Sequence, residues 1–408
     1  MTMQTALSGL TGAQTGLNTV SNDLANASTT AFKSQSALFE DIYPAGAGKL
    51  PGIGTGLEGI SSDLTQGALT ATGNPLDAAI QGNGYFVTEN NGAQQYTRDG
   101  AFQLNSNGQL VSANGSNVLG YAQAASGSLG STLGPITINT GSMGASATGN
   151  LGLTLSLNSG DAVIPSTTAF SATNPASYDQ STSVVTYDSL GNANRVGLYF
   201  VQNPAASAGA VPGWTVYAQP QLANGTNAGT PQTLTTLGFT SAGALSSGSP
   251  ATLNVNWGNG AANSAIAFNL AGTTLAAQSF SVAGITNDGY APGSYSGTTI
   301  GTNGAVQSTY SNGQTVSAGT LGLANFINQE GLTPVTGNLY SASATSGQAV
   351  LGTPGTGLAG TLSGGNLEAS NASTSSLLVS LIQYQQAYQA NTSVIQTEQQ
   401  DSQRLVQI

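Results

Sequence analysis

The chain has 408 residues, of which only 5% are charged, and its formal net charge is -11. The basic residues are few and scattered (Lys33, Lys49, Arg98, Arg195 and Arg404), so the sequence lacks the basic patch that nucleic acid requires, and its acidic balance disfavours anionic membrane surfaces. Because cysteine and histidine are both absent, the composition excludes disulfides, thiolate or imidazole metal ligands, and catalysis by either side chain.

The first predicted element is a helix, because residues 1–43 contain no proline and only three of the 56 glycines. Apolar side chains recur there at alternating spacings of three and four residues, at Met3, Ala6, Leu10, Ala13, Leu17, Val20 and Leu24. The other faces are polar but almost uncharged, so they lack the Lys/Glu pairs that usually solubilise an exposed helix. The pattern predicts a helix that pairs with other helices. The same end lacks the basic and apolar regions of a secretory signal, and no run of 18 apolar residues predicts a membrane span.

Glycine and proline mark a break near Pro44, and residues 34–59 are predicted to be a connecting loop. Short strands and turns follow, with turns expected at Asn91-Gly92, Asn107-Gly108 and Asn114-Gly115. From 146 to 280 the composition shifts toward Ser, Thr and Ala, with strands expected over 183–187, 196–201 and 214–218. We therefore expect residues 60–145 and 281–365 to form one middle β domain, into which an outer β domain of residues 146–280 is inserted.

The last 43 residues contain neither proline nor glycine and predict a second helix over 366–408. Its stripe is apolar with some polar interruptions and is widened by Leu378 and Ile382. It runs to Ile408 through Leu377, Leu381, Tyr384, Tyr388, Asn391, Ile395, Ser402 and Leu405. Residues 1–33 and 366–408 are expected to pair with each other and with neighbouring copies as a coiled-coil-like axial domain. The predicted fold class is α+β, mostly β, with discontinuous nested domains.

Residues 21–33 (SNDLANASTTAFK) resemble a signature of flagellar rod and hook proteins, S-N-N-I-A-N-x-N-T-x-G-F-K. The match includes Asn22, Asn26, Phe32 and Lys33, whereas Asp23, Leu24, Ser28 and Ala31 depart from it. Alanine where the family usually has glycine argues against a positive φ angle at residue 31. The resemblance implies that these residues form the turn out of the first helix.

A second block, residues 73–86, closely resembles the family pattern G-N-P-L-D-x-A-I-x-G-x-G-F-F, and residues 96–102 resemble Y-T-R-D-G-x-F. The matching positions include Gly73, Asn74, Pro75, Leu76, Asp77, Gly82, Gly84, Phe86, Arg98, Asp99 and Gly100. Later segments resemble the hook protein in order and spacing, and they lie at 187–192, 288–290, 310–314, 323–326, 330–332, 337–340 and 352–357.

The resemblance implies a structural subunit of the bacterial flagellar hook, a curved flexible tube that acts as a universal joint and transmits motor torque from rod to filament. It implies export without a cleaved signal peptide through the flagellar type III export apparatus, to an extracellular site at the end of the basal body. The implied partners are other copies of the chain, the distal rod protein, the hook cap protein and the hook-filament junction proteins. The residues implied to line the inner helical tube are Leu10, Leu17, Leu24, Leu381, Tyr388 and Ile395.

Other interpretations rest on weaker signals. Gly82-Asn83-Gly84 lacks the third glycine and the lysine of nucleotide-binding loops, so no cofactor is predicted. Asp77, Asp99 and Asp288 are interpreted as turn residues rather than an acid-base pair, and Arg98 as part of a local polar network. No constellation predicts an enzyme. The alternatives are a flagellar rod subunit, which would lack the insert, and a β-rich surface adhesin or carbohydrate-binding module, which would leave the terminal helices unexplained.

Overall fold

The computed structural model describes residues 2–43, 52–124, 127–165, 167–205, 207 and 210–406. This part of the chain begins with one helix and ends with another. Helix α1 is Thr2–Ala25 and helix α2 is Thr374–Val406. Both are shorter than the predicted 1–43 and 366–408. The chain leaves α1 through tight turns after Ala25, and residues 366–368 form a strand. A prediction based on the absence of proline therefore overestimated the length of both helices.

The predicted loop over 34–59 is wrong, because much of it forms an antiparallel hairpin. Strand β1 (Gln35–Ile42) pairs with β2 (Gly54–Ser62) along its whole length. Phe39 turns toward α1, where a Cβ added at Gly12 would lie 3.5 Å from its ring. Packing against a helix overrides the local glycine and proline signal here. Residues 44–51, including the break expected near Pro44, lie outside the described residues.

The middle β region interleaves strands from both halves of the chain. The earlier strands are β3 (Leu69–Ala71), β4 (Ala78–Gln81), β5 (Tyr85–Asn90), β6 (Ala93–Thr97), β7 (Phe102–Leu104), β8 (Leu110–Ser112), β9 (Asn117–Gln123) and β10 (Leu129–Pro135). Within the 13-stranded sheet, β5 pairs with both β6 and β9. The predicted turn at Asn91-Gly92 joins β5 to β6, and both of its residues have the positive φ angles of a type I′ hairpin.

The later half supplies the remaining strands of this region. They are β21 (Tyr295–Ile300), β22 (Ala305–Tyr310), β23 (Thr315–Leu321), β24 (Leu323–Asn325), β25 (Thr333–Val335), β26 (Leu339–Ser341), β27 (Val350–Gly352), β28 (Thr361–Gly364) and β29 (Asn366–Glu368). The central order of the 13-stranded sheet is β21-β22-β23-β9-β5-β6-β26-β25. Two short pairs, β28 with β4 and β29 with β3, join the approach to α2 to strands that follow α1. Both ends of the chain therefore belong to one unit, here called unit 1, which comprises residues 1–140, 297–309 and 315–408.

Residues 141–296 and 310–314 form unit 2, which has its own sheets and core. Its strands are β11 (Asn150–Asn158), β12 (Gln180–Tyr187), β13 (Ala193–Gln202), β14 (Trp214–Gln221), β15 (Gln232–Phe239), β16 (Leu245–Ser247), β17 (Ala251–Val255), β18 (Ser264–Asn269), β19 (Thr274–Ala276) and β20 (Ser281–Asn287). One sheet runs β12 to β16 in order, and the other is centred on β11, which pairs with β18, β19 and β20.

Alternate residues of β11, β13 and β14 point inward and build one core with residues of β17 and β18. This burial explains why the strands predicted within β12, β13 and β14 are present. The boundary expected at residue 280 differs from that between the units, because β20 pairs with β11 inside unit 2. The predicted fold class, mostly β with terminal helices and nested segments, is confirmed.

Candidate functional site

The two terminal helices pack against each other along a seam of small residues. A Cβ added at Gly16 would lie 2.4 Å from the ring of Tyr384, and one added at Gly9 would lie 2.9 Å from the side chain of Asn391. Gly16 lies seven residues after Gly9 on α1, whereas its contact Tyr384 lies seven residues before Asn391 on α2. The two helices are therefore antiparallel. Glycine lets the two backbones approach at these positions, because any larger side chain would displace the facing one.

The seam is rotated relative to the apolar stripe read from the sequence. The most buried face of α1 carries Ala6, Ala13, Gly16 and Val20. The predicted leucines of the stripe, Leu10, Leu17 and Leu24, flank that face and are only half-buried, while Met3 is about half exposed. Sequence reasoning favoured large apolar residues and missed Gly9 and Gly16, although their seven-residue spacing was a readable signal of close helix contact.

On α2, the predicted stripe faces the pair but is covered only in part. Its residues Leu377, Leu381, Tyr384, Tyr388, Asn391 and Ile395 are all half-buried, and Ser402 is exposed. The side chain of Leu405 and all of Ile408 lie outside the described residues. Of the α2 side chains that the structure describes, none is fully buried. On its outer face α2 exposes Leu378, Val379, Ile382 and Val394, and α1 exposes Met3 and Leu7. The paired helices thus retain an apolar surface that this chain does not cover.

An ionic cluster joins the segment that follows α1, the strand β29 before α2 and the middle β region. The Lys33 ammonium lies 2.6 Å from Glu368 Oε1, and Arg98 Nε lies 2.9 Å from Glu368 Oε2. All three side chains are buried. Arg98 lies in a polar network as predicted, but that network is not local in the sequence, because Glu368 lies 270 residues away in the chain. Lys33 likewise serves as more than a turn residue, since its ammonium also donates to the Thr65 carbonyl at 2.6 Å.

Backbone groups complete the cluster. Arg98 donates to the carbonyls of Gly84 and Gly82 at 3.0 and 2.9 Å, and the Gly67 N–H donates to Glu368 Oε1 at 2.9 Å. Gly82 and Gly84 have φ angles of 100° and 126°, a region that favours glycine. The two glycines of the motif therefore aim carbonyls at a buried guanidinium, which gives them a structural reason unrelated to phosphate binding.

Burial and charge act in opposite directions on these groups. Burial alone would raise the pKa of Glu368, but the Arg98 charge and hydrogen bonds from Lys33 and Gly67 outweigh it and hold that pKa below its ordinary value. Burial lowers the pKa of Lys33, and its hydrogen bond to Glu368 offsets only part of that shift. The Glu368 carboxylate accepts from two cations and one backbone amide. It is therefore the electrostatic centre of the ionic cluster, which is called the junction below.

The remaining residues of the second block shape the loops around this cluster. Asp77 accepts hydrogen bonds from Asn74 and Thr72, and Gly365 donates its N–H to the Asp77 carbonyl at 2.7 Å. Asp99 accepts from the Ala101 N–H at 3.1 Å, which agrees with a turn role, and burial raises its pKa. Of the other matching positions, Gly73 has a positive φ angle, Pro75 is exposed and Leu76 is half-buried. Phe86 is buried and packs against Phe102. At Gly100 an added Cβ would collide with the Ala78 carbonyl.

The turn after α1 uses a left-handed residue that the sequence argued against. Ala31 has a φ of 56°, and its N–H donates to the Glu368 carbonyl at 2.8 Å. That long-range bond compensates the strain of a non-glycine residue there. The Asn26 N–H continues the helical hydrogen bonding by donating to the Asn22 carbonyl at 3.1 Å, and the Asn26 side-chain amide donates to the same carbonyl at 3.0 Å. Phe32 is half-buried.

Two residues near α2 complete the junction, and sequence reasoning missed both. Glu368 was not singled out, and Asn371 was also overlooked. Asn371 Oδ1 accepts from the Ser34 N–H at 2.8 Å, and its amide donates to the carbonyls of Asp63 and Thr65. Their partners lie about 300 positions away, so no local pattern signals them. An isolated acid in an almost uncharged segment was the one readable hint.

Two further chemistries can be checked directly in the described part of the chain. No group of three or more acidic side chains there is arranged to hold a metal ion. None of the helices there is long and apolar enough to cross a membrane. The described geometry is that of a helix pair with a partly uncovered apolar surface, joined to a β region by buried ion pairs.

Comparison with known families gives matches along most of the chain. Residues 3–33 match the flagella basal body rod protein family, and 79–152 match the flagellar hook protein FlgE/F/G D1 domain. Residues 156–290 match the flagellar basal body protein FlaE D2 domain, and 363–408 match the flagellar basal body rod FlgEFG protein C-terminal family. The matches at the two ends cover both terminal helices.

Whole-length relatives and a solved structure agree. The flagellar hook protein FlgE of Escherichia coli (strain K12) is 37% identical over 417 residues, which span 100% of both chains. The one from Salmonella typhimurium is 36% identical over 415 residues, again 100% of both. The crystal structure of Helicobacter pylori flagellar hook protein FlgE2 has a similar fold, with a TM-score of 0.56 and 16% identity over 72% of this chain and 98% of that one. The chain therefore belongs to the flagellar hook protein FlgE family.

Proposed function

We propose that this hook protein assembles through the uncovered apolar surface of its paired terminal helices, which pack against the helices of neighbouring copies to form the inner layer of the hook. The chain is a structural subunit of the bacterial flagellar hook and not an enzyme. The hook is a curved, flexible tube that transmits motor torque from rod to filament. Each subunit must therefore hold its neighbours firmly at one layer while the tube bends.

The observation that carries the proposal is the incomplete burial of α2. Four large aliphatic side chains on its outer face are about half exposed. Only three of its 33 residues are charged: Glu398, Asp401 and Arg404. A helix on the surface of a monomer normally shows a charged outer face, and fully burying an aliphatic side chain contributes about 1.5–3 kcal/mol. The uncovered side chains thus supply a substantial driving force for association.

We extend the proposal to the predicted inner residues. Leu10, Leu17, Leu24, Leu381, Tyr388 and Ile395 are half-buried in the single chain. Each therefore has area left for a neighbouring helix to cover, and we propose that assembly completes their burial. The small residues of the seam hold the pair together, while the flanking leucines and the outer aliphatics contact other copies.

We also propose the wider partners and route that family membership suggests. The first copies would contact the distal rod protein, later copies would add beneath the hook cap protein, and the last would meet the hook-filament junction proteins. The chain would be exported without a cleaved signal peptide, unfolded, through the flagellar type III export apparatus. The absence of cysteine supports this route, because no disulfide has to form or break during export.

The test is salt-induced polymerisation of the purified full-length chain, viewed by negative-stain electron microscopy. The double variant Val379→Asp/Ile382→Asp places two charges on the outer face of α2 without touching the seam. We expect curved tubes from the natural chain and none from the variant, because each introduced carboxylate would have to be buried unpaired.

Val163→Asp/Val185→Asp is the matched control, because it adds the same two charges at similarly exposed valines of unit 2. It should form tubes. Circular dichroism must show that the double variant keeps its helices and sheets. Tubes formed equally well by the double variant, or a natural chain that stays monomeric in every polymerising salt, would overturn the proposal.

A further inference from the structure

A second uncovered apolar surface lies in unit 1, on the middle β region rather than on the helices. It is a groove of about 370 Å³ lined by Asn325–Ile327, Val350–Gly352 and Thr356–Ala359. Ile327 is 91% exposed, Leu358 is 84% exposed and Val350 is 60% exposed. Among the described residues these are the three most exposed large aliphatic side chains, and all three line this one groove. Single exposed aliphatics are ordinary on protein surfaces, but such a concentration indicates a contact site.

The exposed side chains are held in place by ordered structure. Ile327 stands between Phe326, which is buried against Tyr85 and Tyr96, and Asn328, which donates to the Thr345 carbonyl. Leu358 sits in a hydrogen-bonded turn, where the Ala359 N–H donates to the Thr356 carbonyl at 3.0 Å and Gly360 is bonded to Asn83. Since the backbone on either side is fixed, docking here would order few additional groups, which lowers its entropic cost.

One wall of the groove is the short strand β27, which pairs on one side with β24 and is otherwise unpaired among the described strands. A short, apolar edge strand is a site where a second polypeptide can pack or pair. None of the residues lining the groove is charged. The groove therefore fits an uncharged apolar polypeptide surface, and it offers nothing to recognise a nucleic acid or an acidic ligand.

We infer that this groove is a contact between copies of the chain in the assembled hook, occupied by an apolar surface of a neighbouring copy. The inference rests on the proposed assembly, because a tube surrounds each copy with others. Copies related by a screw operation meet through two different surfaces, one from each, and such contacts do not close on themselves. A concave apolar patch that its own chain leaves empty is one half of a contact of this kind.

The groove adds to the helix layer a contact of a different kind. In the proposed assembly, neighbouring copies cover the helices along their length, whereas the groove engages one localised patch through Ile327, Leu358 and Val350. Apolar contacts without ion pairs or directional hydrogen bonds impose little geometric restriction. A neighbour seated in this groove can therefore shift as the tube bends without breaking a charged pair.

The experiment uses single thiols, since the natural chain has no cysteine. Ile327→Cys and Leu358→Cys each place one thiol in the groove, and Val379→Cys places one on the outer face of α2. The rate of maleimide labelling is measured for each purified full-length variant, first as unassembled subunit and then as tubes formed from that protein alone. We expect both groove thiols to react readily in the subunit and about tenfold or more slowly in tubes, with labelling restored when the tubes are dissociated.

The three variants separate the two proposals. Groove thiols that stay reactive in tubes while the Val379→Cys thiol is protected would overturn the groove contact and leave the helix assembly standing. Groove thiols free in pure tubes but protected in hooks isolated from cells would assign the groove to a different protein and also overturn it. If none of the variants nor the natural chain forms tubes, both proposals fail. If the Ile327→Cys variant does not assemble, the labelling rate of the Leu358→Cys thiol in tubes tests the groove contact in its place.

Discussion

Unit 2 and the terminal helices use similar, almost uncharged sequence in opposite ways. Unit 2 gathers 21 buried hydrophobic residues into one core, including both tryptophans of the chain. Helix α2 is 33 residues long, and none of its described side chains is fully buried. The comparison teaches that unit 2 has a complete apolar core of its own, whereas the helices leave much of their apolar surface uncovered within a single chain.

The unfolding of unit 2 and that of the terminal helices can be followed by different spectroscopic signals. Trp214 and Trp257 are fully buried in unit 2, so tryptophan fluorescence follows the unfolding of that unit alone. Helical circular dichroism follows α1 and α2, because the structure describes long helices only in unit 1. One denaturant titration thus yields separate free energies of unfolding, and the following changes are designed to move one without the other.

The largest effect is expected from Glu368→Gln. The change leaves Lys33 and Arg98 buried without their shared carboxylate, and breaking a buried ion pair costs about 3–5 kcal/mol. The helical transition in urea should move to lower denaturant, while the tryptophan transition stays in place. Glu330→Gln, an exposed acid of the same unit, is the matched control and should change neither.

The dependence of this loss on pH gives a second check. Because the folded pKa of Glu368 lies below its unfolded value, its contribution is complete above the unfolded pKa and is lost as pH falls through the folded one. The difference between natural chain and variant should therefore be constant near neutrality and shrink below about pH 4. A difference that persisted unchanged into acid would contradict the ionic role.

Leu198→Ala makes the converse change in unit 2. Leu198 is fully buried between the sheets, and truncating such a leucine costs about 2–5 kcal/mol, including the cavity that remains. The tryptophan transition should shift while the helical transition does not. Tube formation should survive under conditions in which unit 2 remains folded. Coincident shifts of both signals would show that the two units unfold together and would break the comparison.

The sequence signals that succeeded were local ones. Heptad spacing, the absence of proline and Asn-Gly turns depend on neighbours within a few positions, so they predicted the terminal helices, the β5–β6 turn and the strands of unit 2. The junction could not be predicted in this way. Glu368 lies 335 positions from Lys33, and the φ of Ala31 is imposed by a bond to that same residue. The hairpin of β1 and β2 forms for a similar reason, because packing on α1 outweighs its local composition.

The seam itself can be tested with Gly16→Val. The new side chain would enter space occupied by Tyr384, and overpacking of this kind typically costs about 1–3 kcal/mol. The helical transition should weaken, and the labelling of a thiol at Val379 should be unchanged in the subunit because that residue faces outward. Gly12→Ala is the control. Its added Cβ meets nothing closer than 3.4 Å, so the better helix former should stabilise α1 by about 0.5–1 kcal/mol.

The smallest predicted effect concerns Asp23, where the family signature has asparagine. Asp23 is fully buried at the end of α1; Oδ2 accepts from the Gln35 N–H at 2.8 Å, while Oδ1 has no partner. Burial raises its pKa, and the hydrogen bond from Gln35 offsets only part of that shift. A raised folded pKa means that the folded carboxyl binds its proton more tightly than the unfolded one, so unit 1 should lose stability as pH rises from about 4 through the folded pKa.

Asp23→Asn should remove this dependence of the stability on pH. It should stabilise unit 1 at neutral pH and make no difference near pH 4, and each unit by which the pKa is raised corresponds to about 1.36 kcal/mol.

The contrasting residue is Asp63, whose hydrogen bonds from Thr65 hold its pKa below the ordinary value. Asp63→Asn should therefore matter above the unfolded pKa and lose its effect in acid, the opposite sign. Helical unfolding measured from about pH 2 to pH 8 decides between them, because the effect of Asp63→Asn is lost only below its ordinary pKa of about 4. Equal pH profiles for the two variants would mean that the buried carboxyl of Asp23 does not destabilise unit 1.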